Sequence, residues 1–129
     1  MSEQALISIV DDDQSFRDSM RRLLKSLGYP VAVFSSAGEF LASPELAATT
    51  CLVADVHMPA MTGIDLYKSL TEGGHAIPTI LVTAYPDDIV QDLMLSLGVK
   101  CYLSKPLEEA HLIRCLRSVF ARGTGEPGR

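Results

Sequence analysis

No apolar run in the chain approaches the roughly 18 residues that a membrane-spanning helix requires, so a bilayer-embedded protein is not expected. The opening residues MSEQALISIV lack a basic segment and a small-residue cleavage site, so no signal peptide is expected either. Basic residues are few: 11 Lys and Arg stand against 16 Asp and Glu, for a net charge of −5. Neutralising phosphates needs clustered Lys and Arg, which argues against a nucleic-acid-binding surface. Cysteine is scarce as well. Cys51, Cys101 and Cys115 are too scattered for a disulfide framework, and the three histidines are not spaced to make a zinc site with them. All three cysteines are expected as buried or half-buried thiols packing as small hydrophobes, in a reduced, water-soluble, cytoplasmic domain.

What remains is an ordinary globular composition, 47% hydrophobic and 21% charged, in 129 residues, enough for one domain with a single core. Short β-rich runs fall at Ala5–Val10, Val31–Ser35, Cys51–Asp55, Ile77–Thr83 and Lys100–Ser104. The segments LISIV, CLVA and TILV are almost continuously apolar, as strands covered on both faces are. Helical patterns alternate with them. Ser15–Leu27 places Phe16, Met20, Leu23, Leu24 and Leu27 on one stripe, and Pro106–Arg122 repeats the pattern with Leu107, Leu112, Leu116, Val119 and Phe120. Shorter helices fit Ala37–Ala42, Gly63–Thr71 and Asp87–Leu97, with turn signals at Gly28-Tyr29-Pro30, Pro59, Gly73-Gly74 and Gly98. Alternating strands and helices with right-handed crossovers predict a doubly wound, five-stranded parallel sheet with helices on both faces. Residues 1–122 form this domain, and 123–129 read as a flexible tail or linker.

Open parallel sheets bind ligands beyond the carboxyl ends of their strands. Strand one ends in Asp11-Asp12-Asp13, strand three in Asp55, strand four in Thr83-Ala84 and strand five in Ser104-Lys105-Pro106. Taken singly these are common helix-capping or turn residues, and Asp13 is expected to cap the following helix. Together they mean something else. Carboxylates drawn to about 4 Å repel by about 4 kcal/mol per pair at an effective dielectric of about 20. A fold that gathers them needs a cation or a proton. An all-oxygen donor set on a small rim suits Mg²⁺. A carboxylate can attack phosphorus, and a metal, an ammonium and a hydroxyl can neutralise the three equatorial oxygens. Asp55, Lys105 and Thr83 fit those parts.

The ordered set LISIVDDD, CLVADVHMPAMTGIDL, TILVTAY and CYLSKP resembles the response-regulator receiver domain of two-component systems, from about residue 5 to residue 121. The resemblance implies the flavodoxin-like fold with strand order 2-1-3-4-5. It implies Asp55 as phosphoacceptor, with Mg²⁺ held by Asp12, Asp55 and the backbone carbonyl of His57, and by Asp11 through water. Thr83 and Lys105 become the phosphate-contacting switch residues, Tyr102 the aromatic switch, and Lys105-Pro106 a cis peptide bond. The expected partner is a sensor histidine kinase or a phosphotransfer protein. The chain is then not an enzyme beyond catalysing its own phosphorylation and slow autodephosphorylation. The segment from Asp11 to Ser43 is similar to the FixJ-type subclass, whose members usually carry a C-terminal helix-turn-helix domain. This sequence holds none, so it is either a stand-alone receiver or the receiver piece of a longer transcription regulator.

Two positions depart from the ordinary pattern. His57 and Tyr85, two residues beyond Asp55 and Thr83, either screen the site from water and lengthen the phosphoryl lifetime or point to solvent. The fourth helix carries Ile89, Val90, Leu93, Met94, Leu95 and Leu97, more than one packed face needs. An exposed apolar patch on the face of helix four, strand five and helix five is expected, serving a homodimer or an output partner. A remote alternative is an aspartate-nucleophile phosphohydrolase of the haloacid dehalogenase type, which needs a second acid where His57 stands. A nucleotide- or flavin-binding module is disfavoured by the acidic, glycine-free first turn.

Overall fold

The structure, a computed structural model, describes residues 5–124. Five strands, β1 (Ile7–Val10), β2 (Val31–Phe34), β3 (Cys51–Asp55), β4 (Thr79–Thr83) and β5 (Cys101–Ser104), form one parallel sheet in the order β2-β1-β3-β4-β5. Five helices alternate with them: α1 (Gln14–Ser26), α2 (Ala37–Leu41), α3 (Gly63–Glu72), α4 (Asp88–Ser96) and α5 (Glu109–Thr124). A 3₁₀ turn at Pro44–Ala48 lies in a stretch where the sequence carries no helical period. The expected order and alternation are thus present. Strands β1 and β4 start two residues later than their expected runs and β5 one later; Leu6 and Pro78 supply backbone carbonyls at the first two entrances without joining the ladder. Helix α5 begins at Glu109, after the cis Lys105-Pro106 bond, and continues to Thr124. It overruns the expected boundary at residue 122; the tail from 125 on lies outside the described residues.

The pleat divides the core into two layers. Ile7, Ile9, Cys51, Val53, Ile80 and Val82 face α1 and α5, where Met20, Leu24, Leu112, Leu116 and Val119 meet them. Val10, Leu52, Ala54 and Leu81 face α2, α3 and α4, against Phe40, Leu66, Leu70 and Met94. Ser8 would place a bare hydroxyl in the second layer, but its Oγ shares a 2.7 Å hydrogen bond with Thr49 Oγ1. The starts of α1, α2, α3 and α4 each carry a side-chain cap. Asp13 accepts from the Ser15 amide at 3.0 Å, as expected, Thr62 and Asp65 make a reciprocal capping box, and Asp87 accepts from Ile89 and Val90.

One sequence expectation needs correction. Cys51 is a buried free thiol, as expected, but Cys101 and Cys115 are joined as a disulfide. Alternation on β5 turns Cys101 toward α5, and Cys115 sits on the inner face of α5, so residues remote in sequence lie 6.3 Å apart at their Cα atoms. That is within bonding range for a cystine, a proximity that spacing along the chain does not reveal.

Candidate functional site

Strand order brings the carboxyl ends of β1, β3, β4 and β5 to one rim. Register sets the details: Val10 pairs with Ala54, Asp55 with Val82, and Thr83 with Ser104. Asp11 follows β1, Asp55 ends β3, Thr83 ends β4, and Lys105 follows β5. Carboxylate oxygens of Asp11, Asp12 and Asp55 lie within 4.8 Å of one another. Asp11 is 0% exposed and Asp55 6%, while Asp12 is exposed.

The charge in this cluster is partly balanced from within. The Lys105 ammonium donates to Asp11 Oδ2 at 2.9 Å and stands 3.8 Å from Asp55 Oδ2. It also sits 4.3 Å above the centre of the Phe16 ring, a cation–π contact that fixes the end of the long side chain. Asp11 Oδ1 accepts from the Asp13 amide at 2.9 Å, and the Asp11 carbonyl accepts from the Arg17 guanidinium at 2.7 Å. Asp55 is less well served, with the His57 amide at 3.3 Å. Burial is the main reason its carboxyl is pushed above the ordinary range; repulsion from Asp11 adds to this, and the attraction of Lys105 opposes it. Asp55 therefore carries a charge that its surroundings do not fully satisfy, at the centre of an all-oxygen donor set able to hold a hard divalent cation.

Thr83 is buried, and its Oγ1 accepts from the Tyr85 amide at 2.9 Å. Tyr102 is half-buried and packs on the α3/α4 layer, opposite in pleat to Cys101 and Leu103. His57 and Tyr85 are both exposed, yet their rings meet edge to face with centroids 5.3 Å apart. Asp11, Asp12, Asp55, His57, Thr83, Tyr85 and Lys105 thus sit on or beside one rim, whereas Tyr102 lies inside the sheet, paired with Leu81.

Three residues of the rim escaped the sequence reading. Phe16 was visible only as part of an apolar stripe, and Arg17 only as a charge. Gly63 has the stronger signal in hindsight: a Cβ there would collide with the Asp55 carbonyl, so the start of α3 can press on the end of β3 only as glycine. Between them Ala60 adopts φ 69°, with the Met61 amide bonded to the Pro59 carbonyl at 2.7 Å, a tight turn in a region that L-residues seldom occupy.

A flavodoxin-like sheet with an acidic cluster and one lysine at its strand ends defines an α/β signalling switch domain. The sequence matches the response regulator receiver domain family over residues 7–117, and the chain belongs to that family. It is 34% identical over 121 residues to the response regulator protein TodT of Pseudomonas putida, covering 93% of this chain and 53% of that protein. It is 33% identical over 129 residues to the transcriptional regulatory protein FixJ of Azorhizobium caulinodans, covering all of this chain and 61% of the relative. Among solved structures, the response regulator StyR superposes with a TM-score of 0.85 at 33% identity, over 94% of this chain and 61% of that one. The chain therefore spans little more than half the length of these relatives. No described helix is long and apolar enough to cross a membrane.

Proposed function

We propose that this receiver domain takes a phosphoryl group from a sensor histidine kinase, or from a phosphotransfer protein, onto Asp55, with Mg²⁺ bound beside it. The carrying observation is the buried Asp55 carboxylate, unsatisfied in charge, with Asp11, Asp12 and Lys105 converging on it. Asp12, Asp55 and the His57 carbonyl would hold the ion, with Asp11 acting through water; when bound it supplies positive charge for the phosphoryl oxygens. An Asp55 oxygen forms the new P–O bond as the P–N bond to the donor imidazole breaks. The leaving nitrogen pair takes a proton from solvent. Lys105 and the Thr83 hydroxyl then bond phosphoryl oxygens.

Thr83 would give up its present role toward the Tyr85 amide in part, and Tyr102 would turn inward, changing the surface of α4, β5 and α5. Two charge-assisted hydrogen bonds at about 1.5–3 kcal/mol each approach the roughly 5.5 kcal/mol that carries a two-state switch from 1:99 to 99:1. The domain acts in the cytoplasm, and its catalysis is limited to its own phosphorylation and slow autodephosphorylation. The lengths of TodT and FixJ favour a second reading of the whole molecule: this chain is the receiver part of a longer transcription regulator. Incubation with Mg²⁺ and acetyl phosphate followed by intact mass tests the main reading. One added phosphoryl group is expected, lost in Asp55→Asn and on chelation of the metal; an unmodified parent would refute it.

A further inference from the structure

The Cys101–Cys115 pair has no part in the phosphoryl chemistry, yet it joins two elements of the switching face. Cys101 lies on the edge strand β5, half-buried, and Cys115 is 8% exposed on α5. Both line an open hollow of about 460 Å³ together with Tyr102, Leu103, Ser104, His111, Arg114 and Ser118. A small thiol reagent can therefore reach the pair from solvent. Cys51, the remaining cysteine, is fully enclosed, and burial pushes its thiol up to about 12, so it does not compete.

Cys101 is the neighbour of Tyr102, and alternation sends the two side chains to opposite layers of the sheet. Four residues further on, Lys105 reaches Asp11 and Asp55. A covalent tie between Cys101 and α5 thus restrains the short strand that carries both the aromatic ring and the ammonium. We propose that Cys101 and Cys115 are a reversible thiol–disulfide site, oxidised by a low-molecular-weight disulfide of the glutathione type, and that the oxidised form holds β5 against α5 and weakens phosphoryl binding at Asp55.

In the chemistry, the more accessible Cys101 thiolate attacks the reagent disulfide, forming a mixed disulfide and releasing one reagent thiolate. The Cys115 thiolate then attacks the Cys101 sulfur and expels the second. Two protein thiols lose two electrons and two protons, and one reagent disulfide becomes two thiols. Cytoplasmic disulfides, where they occur, are mostly transient and redox-sensing, which suits this placement.

The coupling to Asp55 rests on the proposed phosphoacceptor role, whereas the redox site itself does not. The test uses the full chain in buffers of graded reduced and oxidised glutathione, quenched in acid, alkylated under denaturing conditions and weighed intact. A cooperative passage from three alkylated thiols to one is expected, with a Cys101–Cys115 peptide link. Stable glutathione adducts without that link, or three thiols at every ratio, would overturn the site. Beryllofluoride with Mg²⁺ is then titrated into each form, followed by thermal shift. The oxidised form should bind at least about fivefold more weakly, the lower end of ordinary coupling between sites. Reciprocity then requires beryllofluoride to make the pair easier to reduce by the same factor, about 20 mV for a two-electron couple. Equal affinities in the two forms would overturn the coupling. Failure of the reduced form to bind would instead overturn the phosphoacceptor role and with it the coupling, leaving the mass titration to decide the redox site. Cys115→Ser should form no internal link, stop at the Cys101–glutathione adduct and keep the reduced affinity in reduced buffer, and the two parent titrations decide the matter should that variant not fold.

Discussion

On one face of the sheet, α1 and α5 bury aligned stripes of Met20, Leu24, Leu112, Leu116 and Val119, and α5 is further joined to β5 through Cys115. On the other face, α4 buries only Met94 fully and leaves Ile89 80% and Leu93 52% exposed, with Leu95 and Leu97 also open. Among the described residues, one side-chain bond from another element reaches its far end, Tyr67 Oη donating to the Leu97 carbonyl at 3.0 Å. The same sheet thus carries a fixed layer on one face and a lightly anchored helix, α4, on the other, and both reach the acidic rim. Lys105 leans on α1 through Phe16, whereas Thr83 and Tyr85 head the loop that enters α4. The proposed switch would draw on this inequality, since moving α4 disrupts fewer buried contacts than moving α1 or α5.

Core truncation should expose the contrast most strongly. Leu24→Ala removes a side chain with no exposure from the fixed layer and is expected to cost about 2–5 kcal/mol. Leu93→Ala on the outer face of α4 should change stability by no more than about 0.5 kcal/mol, as surface substitutions do. Urea unfolding followed by circular dichroism measures both. A Leu93→Ala cost approaching that of Leu24→Ala would mean that the α4 face is covered by another copy of the chain.

The rim between the layers gives the next effect. In the metal-free protein Asp55→Asn should raise stability by about 1–3 kcal/mol at neutral pH, since it removes one charge from the like-charged cluster. The pH dependence has a definite sign. The folded carboxyl is pushed above its ordinary value, so the folded chain holds a proton that the unfolded chain releases. Stability of the parent therefore falls as pH rises from about 4, the ordinary carboxyl value, through the raised folded value, and is level beyond it. The gap between parent and Asp55→Asn should open over that window and close when Mg²⁺ is added. A gap constant from acid to neutral pH would contradict the strained carboxylate.

Most of this arrangement was legible in the sequence, for reasons that differ by element. The near-continuous apolar runs of β1, β3 and β4 are forced by burial on both faces, and the polar residues at their ends are forced onto one rim by parallel order. The apolar excess of α4 was likewise readable, since four of its hydrophobic residues have no sheet to face. What escaped depends on contacts between distant segments. The Cys101–Cys115 bond needs the pleat of β5 and the phase of α5 together, and the Phe16–Lys105 contact needs α1 laid beside the end of β5. The Pro44–Ala48 turn escaped because a single 3₁₀ turn has no period to detect.

The smallest effect concerns the rings on the rim. His57 comes from the loop after β3 and Tyr85 from the loop leading to α4, so their edge-to-face contact bridges the end of β3 and the lightly anchored α4. Such a pair contributes about 0.5–1.5 kcal/mol beyond its buried area, enough to keep two exposed side chains together for much of the time. Their backbone amides bond Asp55 and Thr83, so in the proposed function the paired rings, standing beside the site, would restrict in-line water at an aspartyl phosphate. Replacing either ring by Ala should shorten the phosphoryl lifetime by about threefold to tenfold, a barrier change of no more than about 1.4 kcal/mol. The double variant should do little more than either single one, because losing one ring releases the other. Loss of radiolabelled phosphate from the phosphorylated protein gives the rates. Unchanged lifetimes in both single variants would show that the rings only meet each other, and that the α4 side contributes Thr83 alone to the site.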